Sequence, residues 1–146
     1  MRTRILATVF ALFLCALAMN AQGGPSQALR SPLLGVWRGD FQGMPGVTVV
    51  VTDEGGALTG AVLFYFQSRK DEHSQWTSTP GLPEPMLNPK IDGDTLTFQI
   101  SHRRAHPPRT LGDPPVAFHL KLNGTNDGEF ANEREGPSIH VTRTEY

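Results

Sequence analysis

Asp92-Gly93-Asp94-Thr95-Leu96-Thr97-Phe98-Gln99-Ile100 is the stretch on which the fold turns. Asp92-Gly93 suits the positive φ values of a type I′ hairpin turn. The residues after it alternate, with Leu96, Phe98 and Ile100 on one face and Thr95, Thr97 and Gln99 on the other. A period of two with one apolar side is a strand that buries a single face. The next periodic run repeats the pattern: Val116, Phe118, Leu120 and Leu122 stand opposite Ala117, His119 and Lys121.

Working outward, the same punctuation divides the chain from Leu33 onward into eight strands. They are Leu33 to Phe41, Val47 to Thr52, Leu58 to Gln67, Leu87 to Ile91, Thr95 to His102, Val116 to Leu122, Glu129 to Arg134 and Ser138 to Glu145. Asp53-Glu54-Gly55-Gly56 and Asn123 to Gly128 separate neighbours as turns. The sequence is all-β. Sequential strands with one apolar face and no helix to cover it predict an eight-stranded antiparallel up-and-down barrel, since closure both buries that face and removes the edges. Two packed sheets are the competing architecture.

Upstream, Arg2 and Arg4 precede an apolar run from Ile5 to Ala18, and Ala16-Leu17-Ala18 is a small-residue cleavage pattern, with Ala21 as a second choice. This predicts a signal peptide over 1–21, a flexible linker over 22–32 and a β-barrel domain over 33–146. The run is too short for a membrane span, which takes roughly 20 apolar residues. The expected location is periplasmic or secreted, with no membrane span in the mature chain.

The 146 residues carry 13 basic and 14 acidic side chains, for a net charge of −1. That gives no basic face for nucleic acid. Loss of the leader would remove the lone cysteine, Cys15, leaving a domain without thiol ligands, a thiol nucleophile or a disulfide. No Gly-x-Ser-x-Gly elbow, phosphate-binding loop or dinucleotide fingerprint occurs. The sequence therefore predicts no cofactor, no metal and no catalytic residue.

The first strand contains Gly35-Val36-Trp37-Arg38-Gly39; Leu58-Thr59-Gly60 and Asp92-Gly93-Asp94-Thr95-Leu96-Thr97-Phe98 follow at hairpin spacing. In this the chain resembles the lipocalin-like (calycin-type) barrels, and more closely a small exported bacterial β-domain sometimes found ahead of α/β-hydrolases. The resemblance spans Leu33 to Tyr146. It implies that Trp37 plugs a closed barrel end, with the last-strand Arg143 over its ring and Gly35 beside it. The chain departs from that pattern in its long segments after the third and fifth strands and in a seventh strand without Gly-x-Trp. The 146 residues also hold no hydrolase segment. The resemblance implies a fold and little chemistry.

Candidate binding residues lie in the irregular places. The segment Ser68 to Met86 is longer than ordinary loops and holds Trp76; it reads as a lid or rim over the open barrel end, or as disordered. The third strand is apolar on both faces, with Val62, Phe64 and Phe66 opposite Ala61, Leu63 and Tyr65. Its outer face needs cover, from the long segment or from another protein. Arg103, Arg104 and Arg109, in a loop with His102 and His106, form a candidate anion clamp. His119 and His140 fall on outward faces.

These features predict an exported, non-catalytic binding module that takes a small apolar ligand at the open barrel end through Phe64, Phe66, Trp76 and the arginine loop. The alternatives are a protein-interaction domain docking through the third strand, and an enzyme using the Arg/His loop. An internal cavity would favour the first; a filled interior with an exposed apolar strand would favour the second.

Overall fold

The structure is a computed structural model describing residues 31–101, 114–134 and 136–144. The segments read as signal peptide and linker, up to Arg30, and Arg103, Arg104 and Arg109 lie outside the described residues. Ten strands occur among the described residues: β1 (Gly35–Phe41), β2 (Met44–Glu54), β3 (Ala57–Ser68), β4 (Thr77–Pro80), β5 (Glu84–Pro85), β6 (Leu87–Asp92), β7 (Thr95–Ile100), β8 (Val116–Leu122), β9 (Asp127–Asn132) and β10 (Ile139–Thr144). No helix occurs among the described residues. The sheet order is β4-β3-β2-β1-β10-β9-β8-β7-β6, with β5 also on β3, and every pairing is antiparallel.

This sheet is strongly curled. Five steps in the strand order separate β3 from β8, about 24 Å if the sheet were flat. Yet the ring centroid of Phe64 on β3 lies 5.7 Å from that of Phe118 on β8 and 6.1 Å from that of Phe130 on β9. The three rings, with Phe98, fill the middle of the concave side; Phe118 and Phe130 stack at 5.3 Å and 7°. The alternation read from the sequence is the one that packs: Leu96, Phe98, Ile100, Phe118, Leu120 and Leu122 are all buried in one core with Val47, Val49, Val51, Val62 and Val141.

Trp37 is fully buried in the same core. β1 pairs with β10 so that Trp37 stands directly opposite Arg143. The guanidinium carbon lies 6.0 Å from the indole centroid, at the limit for cation–π attraction.

Three expectations about the strands are corrected. The first strand begins at Gly35; Leu33, read as strand, sits in a turn where Leu34 N–H donates to the Ser31 carbonyl, and its side chain is fully buried. The seventh begins at Asp127, within the stretch read as a turn. The turn after β6 holds Gly93 and Asp94 between the paired Asp92 and Thr95, with positive φ at Gly93 alone among the two. That is the Gly-X pattern of a type II′ turn rather than I′.

The largest correction concerns Ser68 to Met86. This segment is not simply a loop: it supplies two strands to the edge of β3. β4 continues β3 as a hairpin, with Tyr65↔Pro80 and Ser68↔Thr77 at its two ends. β5 then returns to the same edge of β3, pairing Ala61↔Pro85 and Val62↔Glu84, and Met86 N–H donates to the Gly60 carbonyl at 2.9 Å. One residue later the chain pairs with β7 through Leu87↔Gln99. The strip from Glu84 to Asp92 therefore touches β3 at its start and β7 along its remainder. β4 and β5 thus occupy the edge of β3, while its outer face, with Ala61, Leu63 and Tyr65, stays half-buried.

Candidate functional site

β2 and β3 stay in register from Glu54↔Ala57 to Val47↔Phe64 and pair no further. Beyond that point Met44 and Pro45 pair with β1, after a register shift between Gly39 and Asp40, while Tyr65 to Ser68 pair with β4. Pro45 has no N–H to leave unpaired in the gap. Gly46 lets Phe41 fold in closely, because a Cβ there would stand 2.9 Å from the Phe41 Cβ.

The splay opens a groove of about 350 Å³ lined by Phe41, Gly46, Phe64, Tyr65, Phe66, Gln67 and Ile139. Its floor is Phe64, half-buried and tilted against Phe118 and Phe130. Its rim includes Phe66, 65% exposed, and Phe41, 38% exposed. Two polar side chains brace the walls: Gln67 Nε2 donates to the Phe41 carbonyl at 2.7 Å, and Ser78 Oγ donates to the Pro45 carbonyl at 2.6 Å. The lining holds no Asp, Glu, Lys, Arg or His. Such a surface can desolvate an apolar molecule and offers an amide and a phenol for orientation.

Of the predicted binding residues, Phe64 and Phe66 come together here. Trp76 does not line the groove. It stands just before β4, with the Arg69 guanidinium carbon 4.9 Å from its ring centroid. The hairpin tip between them is ordered by Asp71, which accepts from the Ser74 hydroxyl at 2.8 Å and the His73 amide at 3.0 Å. The Ser74 bond, then the His73 bond, hold the exposed Asp71 carboxyl below its ordinary range.

Gly35, Trp37 and Arg143 do not line the groove. Phe41 lies four positions along β1 from Trp37, roughly 13 Å along a strand. Phe41, Gly46, Tyr65, Gln67 and Ile139 also line the groove, although the sequence pattern does not single them out as site residues. Phe41 shares the strand parity of Trp37, and Ile139 that of Val141 and Arg143, so both carried a signal. The splay that gathers them carried none.

His140 Nε2 lies 3.4 Å from Asp127 Oδ1 on the outer face, where both side chains are exposed. No cluster of three or more His, Cys, Asp or Glu suited to a metal occurs among the described residues. No helix among them is long and apolar enough to cross a membrane. No protein-family model, curated protein or solved structure matches the chain.

Proposed function

We propose that this chain is an exported, non-catalytic binding module on a lipocalin-like, eight-stranded barrel frame, taking a small apolar ligand in the groove between the splayed ends of β2 and β3. The observation that carries the reading is an aromatic floor flanked by exposed aromatic rims in a space without charged side chains. The proximity of Glu84–Asp92 to both β3 and β7 supports the barrel frame. Arg2, Arg4 and the apolar run after them support export. The ligand rests on Phe64 and is flanked by Phe41, Phe66 and Ile139; the middle of the concave side is already filled by phenylalanines, so binding is at the end and not deep inside.

The test is a fluorescence titration of the folded chain with anilinonaphthalene sulfonate, a probe whose apolar aromatic rings would enter the groove while its sulfonate stays in water. We expect saturable binding of one probe per chain. Removing one rim ring strips on the order of 50 Å² of apolar contact, about 1–1.5 kcal/mol, so Phe66→Ala and Phe41→Ala should each weaken binding roughly tenfold. Trp76→Ala should leave it unchanged. Absence of saturable binding, or equal weakening by Trp76→Ala, rejects the groove.

A second reading, docking of a protein partner through β3, is favoured by the exposure of Phe66 and of Leu82, 80% exposed. A stable protein interface buries about 800 Å² per partner, more than the groove offers. The outer-face residues Leu63 and Tyr65 would then be covered as well. Weakened partner binding in Leu63→Ser with unchanged probe affinity would select this reading.

A further inference from the structure

The turn between β8 and β9 contains Asn123-Gly124, the sole Asn-Gly step in the sequence. Residues 123 to 127 are all exposed. The turn is closed by Asn123 N–H donating to the Asp127 carbonyl at 2.9 Å, and it is held to its surroundings by Leu122 N–H on the Asp94 carbonyl and Arg143 N–H on the Asn126 carbonyl. Gly124 N–H takes part in none of these bonds and lies outside the β8–β9 ladder, which ends at Leu122↔Gly128. Around Gly124 there is open space: a Cβ placed there would meet nothing within 4 Å. An unpaired main-chain nitrogen, followed by no side chain to crowd its approach, sits one residue after an exposed carboxamide.

We propose that Asn123 is a site of spontaneous covalent modification, converting to aspartate and isoaspartate through a cyclic imide with water as co-reactant. Hydroxide removes the Gly124 amide proton, and the nitrogen attacks Asn123 Cγ. The new N–Cγ bond closes a five-membered ring; the Cγ–Nδ2 bond breaks, and Nδ2 leaves as ammonia after taking a proton from water. Water then opens the ring at either carbonyl. Attack at Cγ gives aspartate, and attack at the main-chain carbonyl gives isoaspartate, which routes the backbone through the former side chain. No electrons are exchanged with an outside group.

The other asparagines of the described residues lack one requirement each. Asn88 precedes Pro89, which has no N–H. Asn132 precedes Glu133, whose N–H is held by the Ala117 carbonyl at 3.0 Å. Asn126 precedes Asp127, whose side chain crowds the nitrogen and whose backbone enters β9 opposite Thr142. The isoaspartyl product lengthens the main chain inside a turn whose Asn126 carbonyl receives Arg143 N–H, so the change reaches the strand that carries the guanidinium over Trp37.

The test incubates the folded full chain in warm, mildly alkaline buffer and follows two signals with time. One is the mass gain of NH2 replaced by OH in the peptide from Leu122 to Arg134, located by electron-transfer fragmentation. The other is labelling by an isoaspartate methyltransferase. Conversion is expected at Asn123 several-fold faster than at Asn126 or Asn132 in the same peptide, with both signals rising together. Gly124→Ala should slow it several-fold, and Asn123→Ser should remove most of the methyltransferase signal from this turn, leaving only the slower contribution of its other residues. Equal rates at the three asparagines, or an unchanged rate in Gly124→Ala, would overturn the proposal.

Discussion

Trp37 and Arg143 are both tied to the turn that leads into β1: the indole Nε1 donates to the Leu33 carbonyl at 2.9 Å, and Arg143 Nη2 donates to the Leu34 carbonyl at 2.7 Å. Each side chain thereby satisfies a main-chain acceptor that the β1–β10 ladder does not reach, while the indole buries its body in the core. Trp37→Ala loses the packing, the hydrogen bond and the ring beneath the guanidinium. It should cost about 3–5 kcal/mol in urea unfolding. Arg143→Ala should cost less, on the order of 1–3 kcal/mol for a charged hydrogen bond and a partly exposed cation–π contact. Arg143→Lys should recover part of that loss. A larger effect from Arg143→Ala than from Trp37→Ala would mean that the guanidinium, not the indole, holds this turn.

Gly35 lies under the same guanidinium. A Cβ there would stand 3.1 Å from Arg143 Nε, and the residue has φ of +132°, outside the range that side chains favour. Gly35→Ala should therefore destabilise by about 1–3 kcal/mol from backbone strain, despite the high intrinsic tolerance of Ala elsewhere. In the background Arg143→Ala the steric part disappears and the strain remains. A double-mutant cycle in denaturant reads the difference; full additivity would show that the side chain and the glycine are not coupled.

Phe118, like Phe130, meets three other core rings, with centroids 5.7 Å from Phe64, 6.0 Å from Phe98 and 5.3 Å from Phe130. Phe118→Ala should cost about 3–5 kcal/mol. Phe118→Leu keeps most of the volume and should cost under about 1.5 kcal/mol. Because Phe64 is both a neighbour of Phe118 and the floor of the groove, the Ala variant should also weaken probe binding, in contrast to the more distant Leu96→Ala. Equal probe affinity in the two variants, measured on the folded fraction, would separate core from groove.

The buried face was legible wherever burial follows strand parity. Leu96, Phe98 and Ile100, or Phe118, Leu120 and Leu122, need only a period of two to be placed together, and Trp37 and Arg143 follow once the first and last strands are neighbours. What was not legible depends on pairing between distant strands. Thr77-Ser78-Thr79-Pro80 has no apolar alternation and becomes strand only because β3 offers it an edge. The groove arises from the register shift after Gly39, which no composition signals. The hairpin at Gln42-Gly43 puts a glutamine at φ of 54°, against its preference. Trp76 attracted attention as an exposed aromatic in a long segment, yet its ring faces Arg69 from across its own hairpin tip.

The β4–β5 segment gives the sharpest stability test, since a lid and a structural strip respond to deletion in opposite ways. A lid could be removed with little effect, because loop closure depends only weakly on length. Here Met86 is buried, and a Cβ at Gly60 would lie 2.7 Å from its Sδ, so the thioether packs directly on the backbone of β3. Glu84 and Pro85 deliver Met86 to that position through their own pairing with β3. Deleting 77–85 would leave Met86 without this guide, unpair Tyr65 to Ser68 on the β4 side, and uncover Val62. We expect a fall in the urea midpoint equivalent to about 2–5 kcal/mol, the range for losing a buried Met or Leu side chain. Met86→Ala alone should reproduce much of the loss. Met86→Leu should retain most of the stability, because a volume-conserving apolar swap costs under about 1.5 kcal/mol. A deletion that leaves the midpoint unchanged would return the segment to the status of a lid and leave Met86 as an incidental contact.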